Sequence, residues 1–249
     1  MASKTAERQL TTLPLDAVAE DLFGLNLRGL RSVRAAWTEP RRYYDAARSL
    51  DWSGRFTPSI RLWLSFFALY SALKFWWIGG NGGMIEAYAA GFAKAGVIVP
   101  TGRTIQDIGR EAVLWVFGVI PILQIVTMMF VSMVFPFWGE PTTLALRQRY
   151  FFVTLIPSTS LMPVFLSVMV FVPSDALTAY GVALALVAFA VDFQMGLRGG
   201  FANLRPVSRA WRAGLLAFIV VGLNVLTSIA AQIVGIVMTS SKYGVAPPT

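Results

Sequence analysis

The chain has 249 residues, 56% of them hydrophobic and 14% charged; a soluble domain averages roughly 45–50% and 25%, so the apolar excess calls for a bilayer. Cysteine and histidine are both absent, which excludes disulfides, thiolate and imidazole metal sites, His-ligated haem and Cys or Ser–His nucleophiles. The net charge of +8 is read as the cytoplasm-facing arginines of a membrane protein and not as a nucleic-acid footprint, and no cofactor is implied.

Residues 1–57 are polar to amphipathic and are expected to form a cytoplasmic segment. The opening MASKTAERQLTTLPLDAVAEDL has no apolar h-region, so the first span is expected to direct insertion. From Leu15 to Trp37 apolar residues recur as Val18, Leu22, Leu30, Val33 and Trp37, while Arg28, Arg31 and Arg34 share another face. Acids come first (Asp16, Glu20, Asp21) and arginines later, which suits the helix dipole. This predicts an amphipathic helix, either lying in the membrane interface or packed on the protein's own cytoplasmic side. Pro40 is expected to break it. Arg41 and Arg42 follow, with Arg28, Arg31 and Arg34 the candidates for contact with lipid or a partner. Asp51–Arg55 is turn-prone, and Trp52 and Phe56 suit an interface.

Five apolar runs follow: Pro58 to Ile78, Val113 to Phe137, Tyr150 to Val172, Leu177 to Leu197 and Trp211 to Met238. Each is near the roughly 20 residues that a bilayer requires. The expected fold is therefore all-α, a polytopic bundle of five transmembrane helices (58–238) preceded by the N-terminal amphipathic helix. An outer loop (79–112) lies within it and a short external tail (239–249) after it. In that loop Gly79–Gly83 reads as a hinge, Ile85, Tyr88, Ala89 and Phe92 as a short amphipathic helix, and Thr104 with Asp107 as a capping box. With these spans, sixteen Lys and Arg residues fall on one set of sides and four on the other, Lys74 being inside the first span. That asymmetry puts the N-terminus in the cytoplasm and the C-terminus outside.

Within the spans, Gly181, Ala185, Ala188, Asp192 and Gly196 share one face of the fourth. Small residues let helices approach closely in lipid. Asp192 on that face is expected to make a structural hydrogen bond to a neighbouring helix, with a proton- or ion-linked site as the alternative. In the fifth span Thr227, Ala231, Gly235 and Thr239 form a small-residue row, and Asn224, Ser228 and Gln232 a polar row beside it. In the third, Pro157 and Pro163 flank Ser158-Thr159-Ser160 and predict a kink whose freed carbonyls the hydroxyls satisfy. Ser65, Ser132, Thr154 or Ser158, and Asp192 fall at similar depth and suggest a buried polar layer. Lys74, near the outer end of the first span, is expected to snorkel outward.

The layout of a polar N-terminal region and five spans, with Glu39-Pro40-Arg41-Arg42-Tyr43-Tyr44 just before the first, resembles the Yip-type membrane proteins. Bacterial members of that family are mostly of unknown role. Eukaryotic members bind membrane-anchored GTPases and shape membranes; no site residue carries over. The Ala- and Arg-rich composition points to a bacterial inner membrane. The expected function is a non-enzymatic scaffold or accessory subunit, with the bilayer and other membrane subunits or a second copy as partners. The alternative is a small permease or channel component using the polar layer around Asp192. A lipid-directed enzyme ranks last, because no second catalytic group accompanies Asp192.

Overall fold

The computed structural model describes residues 27–77 and 82–244; residues 1–26, which hold the first half of the expected amphipathic helix, lie outside the described part. The main elements are helices: α1 (Leu27–Thr38), α2 (Pro40–Arg48), α3 (Ser59–Trp77), α4 (Gly83–Lys94), α5 (Ile105–Val134), α6 (Leu144–Met169), α7 (Leu177–Met195) and α8 (Pro206–Tyr243). Short 3-10 turns at Trp52–Gly54 and Ser174–Ala176 and a π turn at Gly196–Gly200 join them. Among the described residues four helices are long and apolar enough to cross a membrane: α5, α6, α7 with its flanking turns, and α8. α3 has 19 residues but includes Arg61 and Lys74, and it is not among the four.

Side-chain contacts fix the direction of each helix. Ser59 Oγ at the start of α3 donates to the Arg149 carbonyl near the start of α6 at 2.9 Å, and Trp63 meets Phe152 one turn on at 4.8 Å, so α3 and α6 run parallel. Arg212 near the start of α8 donates to the Phe137 carbonyl just past α5 at 3.1 Å. At the other end Tyr243 of α8 meets Arg103 and Glu111 around the start of α5, so α5 and α8 are antiparallel. A Cβ on Gly196, just past α7, would lie 3.1 Å from Ala213 Cβ near the start of α8. Successive long helices therefore alternate in direction. One end of the bundle gathers α1, α2, the 135–149 connection and residues 196–212, with twelve arginines and no lysine in those segments; it is the basic end. The other end gathers α4 and the start of α5.

α6 is the centre. Every residue from Tyr150 to Thr159 is buried, and α1, α2, α3, α5 and α7 pack around it. It runs as one helix through both prolines. The hydroxyls of Ser158, Ser160 and Ser167 donate to the carbonyls of Leu155, Pro157 and Pro163, and not to those of Val153 and Thr159, which the prolines free.

α8 lies along α5 through the expected small-residue row: Thr227, Ala231, Gly235 and Thr239 are all buried. A Cβ on Gly235 would sit 2.6 Å from Val116 Cγ2 and 3.0 Å from the Ala112 carbonyl oxygen, so this position admits only hydrogen. The capping box at the start of α5 is present, with Thr104 and Asp107 bonding each other's backbone N–H. α4 buries Ile85, Ala89 and Phe92, the apolar positions that periodicity selected.

α1 packs inward through Gly29, Ser32, Ala35 and Ala36. Its large apolar residues point the other way, Leu27 and Leu30 being 60% and 61% exposed. Pro40 ends α1 but also opens α2 at its first position, where the missing N–H has no helical partner to lose. α2 buries Tyr43 and Tyr44. Its C-terminal carbonyls are held by Arg149, which donates to Ala47 and Ser49 at 3.0 and 2.8 Å.

Candidate functional site

Two polar constellations lie inside the bundle. The first is at the basic end, where α2, α6 and α7 converge. Asp192, one turn before the end of α7, is 1% exposed, and neither carboxylate oxygen has a hydrogen-bond partner among the described residues. α6 presents the Ser158 hydroxyl towards it, but that hydroxyl donates to the Leu155 carbonyl at 3.1 Å. α2 brings Tyr44 within electrostatic reach of the carboxyl. The Tyr44 phenol pairs with Thr154 Oγ1 at 2.5 Å, and Thr154 in turn donates to the Tyr150 carbonyl at 3.0 Å. Burial pushes the Tyr44 phenol well above its ordinary pKa, against the opposing hydrogen bond to Thr154, so it stays a neutral hydroxyl.

Tyr44 is held in place by close packing. Its ring meets Tyr150 at 5.3 Å and Trp138 at 6.4 Å, and the backbone of Gly199 and Gly200 lies against it where a Cβ would collide. The inter-helix partner expected of Asp192 is Ser158 of α6, which faces the carboxyl without a bond of normal geometry. The expected polar layer is also not one network. Ser65 donates to Arg61, Ser132 to Met129 and Ser158 to Leu155, each within its own helix, because a helix carbonyl one turn back is the nearest acceptor in an apolar interior.

The second constellation crosses the middle of the bundle. Tyr70 of α3 donates to Gln124 Oε1 of α5 at 2.5 Å, and Gln124 Nε2 donates to Asn224 Oδ1 of α8 at 3.0 Å. One turn beyond Tyr70, Lys74 is 8% exposed. Its ammonium sits over the Tyr70 and Phe117 rings, 4.7 and 5.3 Å from their centroids. This corrects the expectation that Lys74 snorkels outward: two aromatic faces hold the cation inside the bundle.

Of the other residues singled out, Asn224 belongs to the second constellation, Ser228 beside it is half-buried and Gln232 is exposed. Ala231 and Gly235 pack against α5. On α7, Gly196 packs against Ala213, Ala185 and Ala188 are half-buried, and Gly181 has open space where a Cβ would point. Arg28, Arg31, Arg34, Arg41 and Arg42 are all exposed. Arg41 donates to Asn203 Oδ1 at 2.6 Å and Arg42 pairs with Glu39 at 2.9 Å. Sequence reading missed Tyr44, Tyr70 and Gln124. Gln124 carried a signal, being the one amide in the apolar run of the second span. Tyr44 carried none, because it reads as an interfacial tyrosine until α2 folds onto α6.

No family model, curated protein or solved structure matches the chain, and the geometry alone carries the functional argument.

Proposed function

We propose that the chain is a five-span integral membrane protein with its basic end in the cytoplasm, working without catalysis as a scaffold or accessory subunit of a membrane complex. The observation that carries this reading is the outer face of α7. Only 11% of its most apolar stretch is buried, and Gly181 on its small-residue face has nothing within 4 Å of a built Cβ. In lipid, small residues pay off only when another helix backbone approaches them, and no helix of this chain does so at Gly181 among the described residues. α3 completes the count of five: it runs parallel to α6, and Arg61 and Lys74 lie towards its two ends. The exposed arginines of α1 and α2, with Leu27 and Leu30 outward beside them, suit contact with anionic lipid headgroups of a bacterial inner membrane. The Yip-type layout agrees with such a role.

Photo-crosslinking tests the reading. A crosslinking residue at Ala185 should yield one defined adduct with a membrane subunit, or with a second copy of the chain, when the protein is expressed in its native membrane. The same residue at Ala231, buried against α5, should yield none. Recovery of the Ala185 variant as an uncrosslinked species carrying only lipid would overturn it.

A further inference from the structure

The acceptor geometry around Asp192 has a consequence that a scaffold does not require. An ionised carboxylate only accepts hydrogen bonds, and neither oxygen of this one has a partner of normal hydrogen-bond geometry among the described residues. From α6, the Ser158 hydroxyl faces the carboxyl while its bond of normal geometry goes to the Leu155 carbonyl at 3.1 Å. From α2, Tyr44 donates to Thr154, since Thr154 has spent its own hydrogen on the Tyr150 carbonyl. Along the neighbouring stretch of α7, α8 contributes small residues: Ala213 lies against Gly196, and Gly214 lies beside Phe193. Arg198, just past α7, donates to the Trp37 and Thr38 carbonyls at 3.4 and 3.3 Å, and no cation pairs with Asp192 among the described residues. What gathers here is therefore a set of oxygen atoms: the two of the Asp192 carboxyl, with the hydroxyls of Ser158 and Tyr44 nearby.

A buried carboxylate with no donor and no counter-charge is costly, and lone pairs converging without a hydrogen between them lack a cation. We propose that Asp192 is the binding site of one small monovalent cation, a proton or a sodium ion, with the Ser158 and Tyr44 oxygens as its neutral neighbours. Tyr44 also lines a polar cleft at the basic end, together with Arg41, Asp45, Arg48, Tyr150 and Asn203. Tyr44 is thus common to this cleft and to the surroundings of Asp192. This goes beyond the scaffold reading and does not depend on it; a scaffold and a permease component alike can carry such a site.

A hydrophobic carbodiimide adds to a carboxyl group that carries a proton in apolar surroundings, which makes the site directly readable on the intact chain. The full protein in nanodiscs of neutral lipid is treated with dicyclohexylcarbodiimide, and the adduct is mapped by peptide mass spectrometry. The expected result is an adduct at Asp192, absent in Asp192→Asn. Its rate should fall about tenfold per pH unit above the midpoint, as a single protonation requires. Replacing choline by sodium at constant ionic strength separates the two cations: slower labelling assigns the site to sodium in competition with the proton, and unchanged labelling assigns it to the proton alone. No adduct at Asp192 at any pH, or a rate indifferent to both pH and sodium, overturns the proposal.

Discussion

At the scale of single residues, what a substitution costs here depends on what it leaves behind. Removing one partner of a buried hydrogen bond strands the other. Asp192 has no partner to strand, because its hydroxyl neighbours are satisfied elsewhere. Asp192→Asn and Asp192→Leu should therefore both fold, with stability within about 1 kcal/mol of the parent or slightly above it, as read by thermal unfolding in detergent. A loss of several kcal/mol for the leucine variant would mean that the carboxyl does hold the helices together. Glycines give the opposite contrast. Gly235→Leu would drive a side chain into Val116 and the Ala112 carbonyl and should cost about 1–3 kcal/mol. Gly181→Leu meets open space, so the isolated chain should unfold as before while adducts from Ala185 are lost. The composition showed both glycines alike; only the neighbouring helix tells them apart.

At the scale of elements, α3, α5 and α8 are joined by the Tyr70–Gln124–Asn224 chain. Inter-helix hydrogen bonds in membranes are worth about 0.6 kcal/mol on average and up to about 1.7 kcal/mol. A double-mutant cycle on Gln124→Leu and Asn224→Leu should give a coupling in that range. Coupling near zero would show that lipid-side rearrangement replaces the bond. α2 shows the other face of the problem. Its tyrosines follow two arginines in a polar segment, yet Tyr43 donates to the Thr57 carbonyl at 2.9 Å and Tyr44 sits 3% exposed against α6. Of the helix expected over 15–37, the described part is helical from Leu27, and its inward face is the small one, Gly29, Ser32, Ala35 and Ala36. A helix pressed against the densely packed Tyr150–Thr159 stretch gains more from close approach than from bulk, so the leucines are left outside.

At the scale of the molecule, alternating helix directions put Leu50, 91% exposed, at the basic end and Ala95 at the opposite end. The chain has no cysteine, so single introduced cysteines report cleanly. In intact cells Ala95→Cys should react with an impermeant maleimide and Leu50→Cys should react only after permeabilisation, since arginines are retained on the cytoplasmic side. The reverse pattern would invert the proposed topology. The clip at the far end, where Glu111 accepts from Lys242 at 2.5 Å and from Tyr243, ties the end of α8 to α5. Glu111→Gln should speed amide exchange at residues 240–244 while leaving the α5–α8 seam around Gly235 protected. Equal acceleration at both places would show that the clip and the seam open as one unit.

Sequence by itself determined the helical class, the positions of the apolar runs, the α5 capping box and the inward row of α8. All of these rest on local periodicity or on backbone sterics, and both act within a few residues. Four of the five expected spans reach membrane-spanning length and apolarity. The first does not, because two cations interrupt it and its aromatic residues are less apolar than leucine. Tertiary structure alone decided which polar groups meet. Tyr44 and Thr154 are 110 residues apart in the chain, and Gln124 and Asn224 are 100 apart. No local pattern encodes such pairings. It also decided that Lys74 rests between two rings and that Asp192 has no donor, because in an apolar interior a side chain's fate depends on which neighbouring helix has a bond left to give.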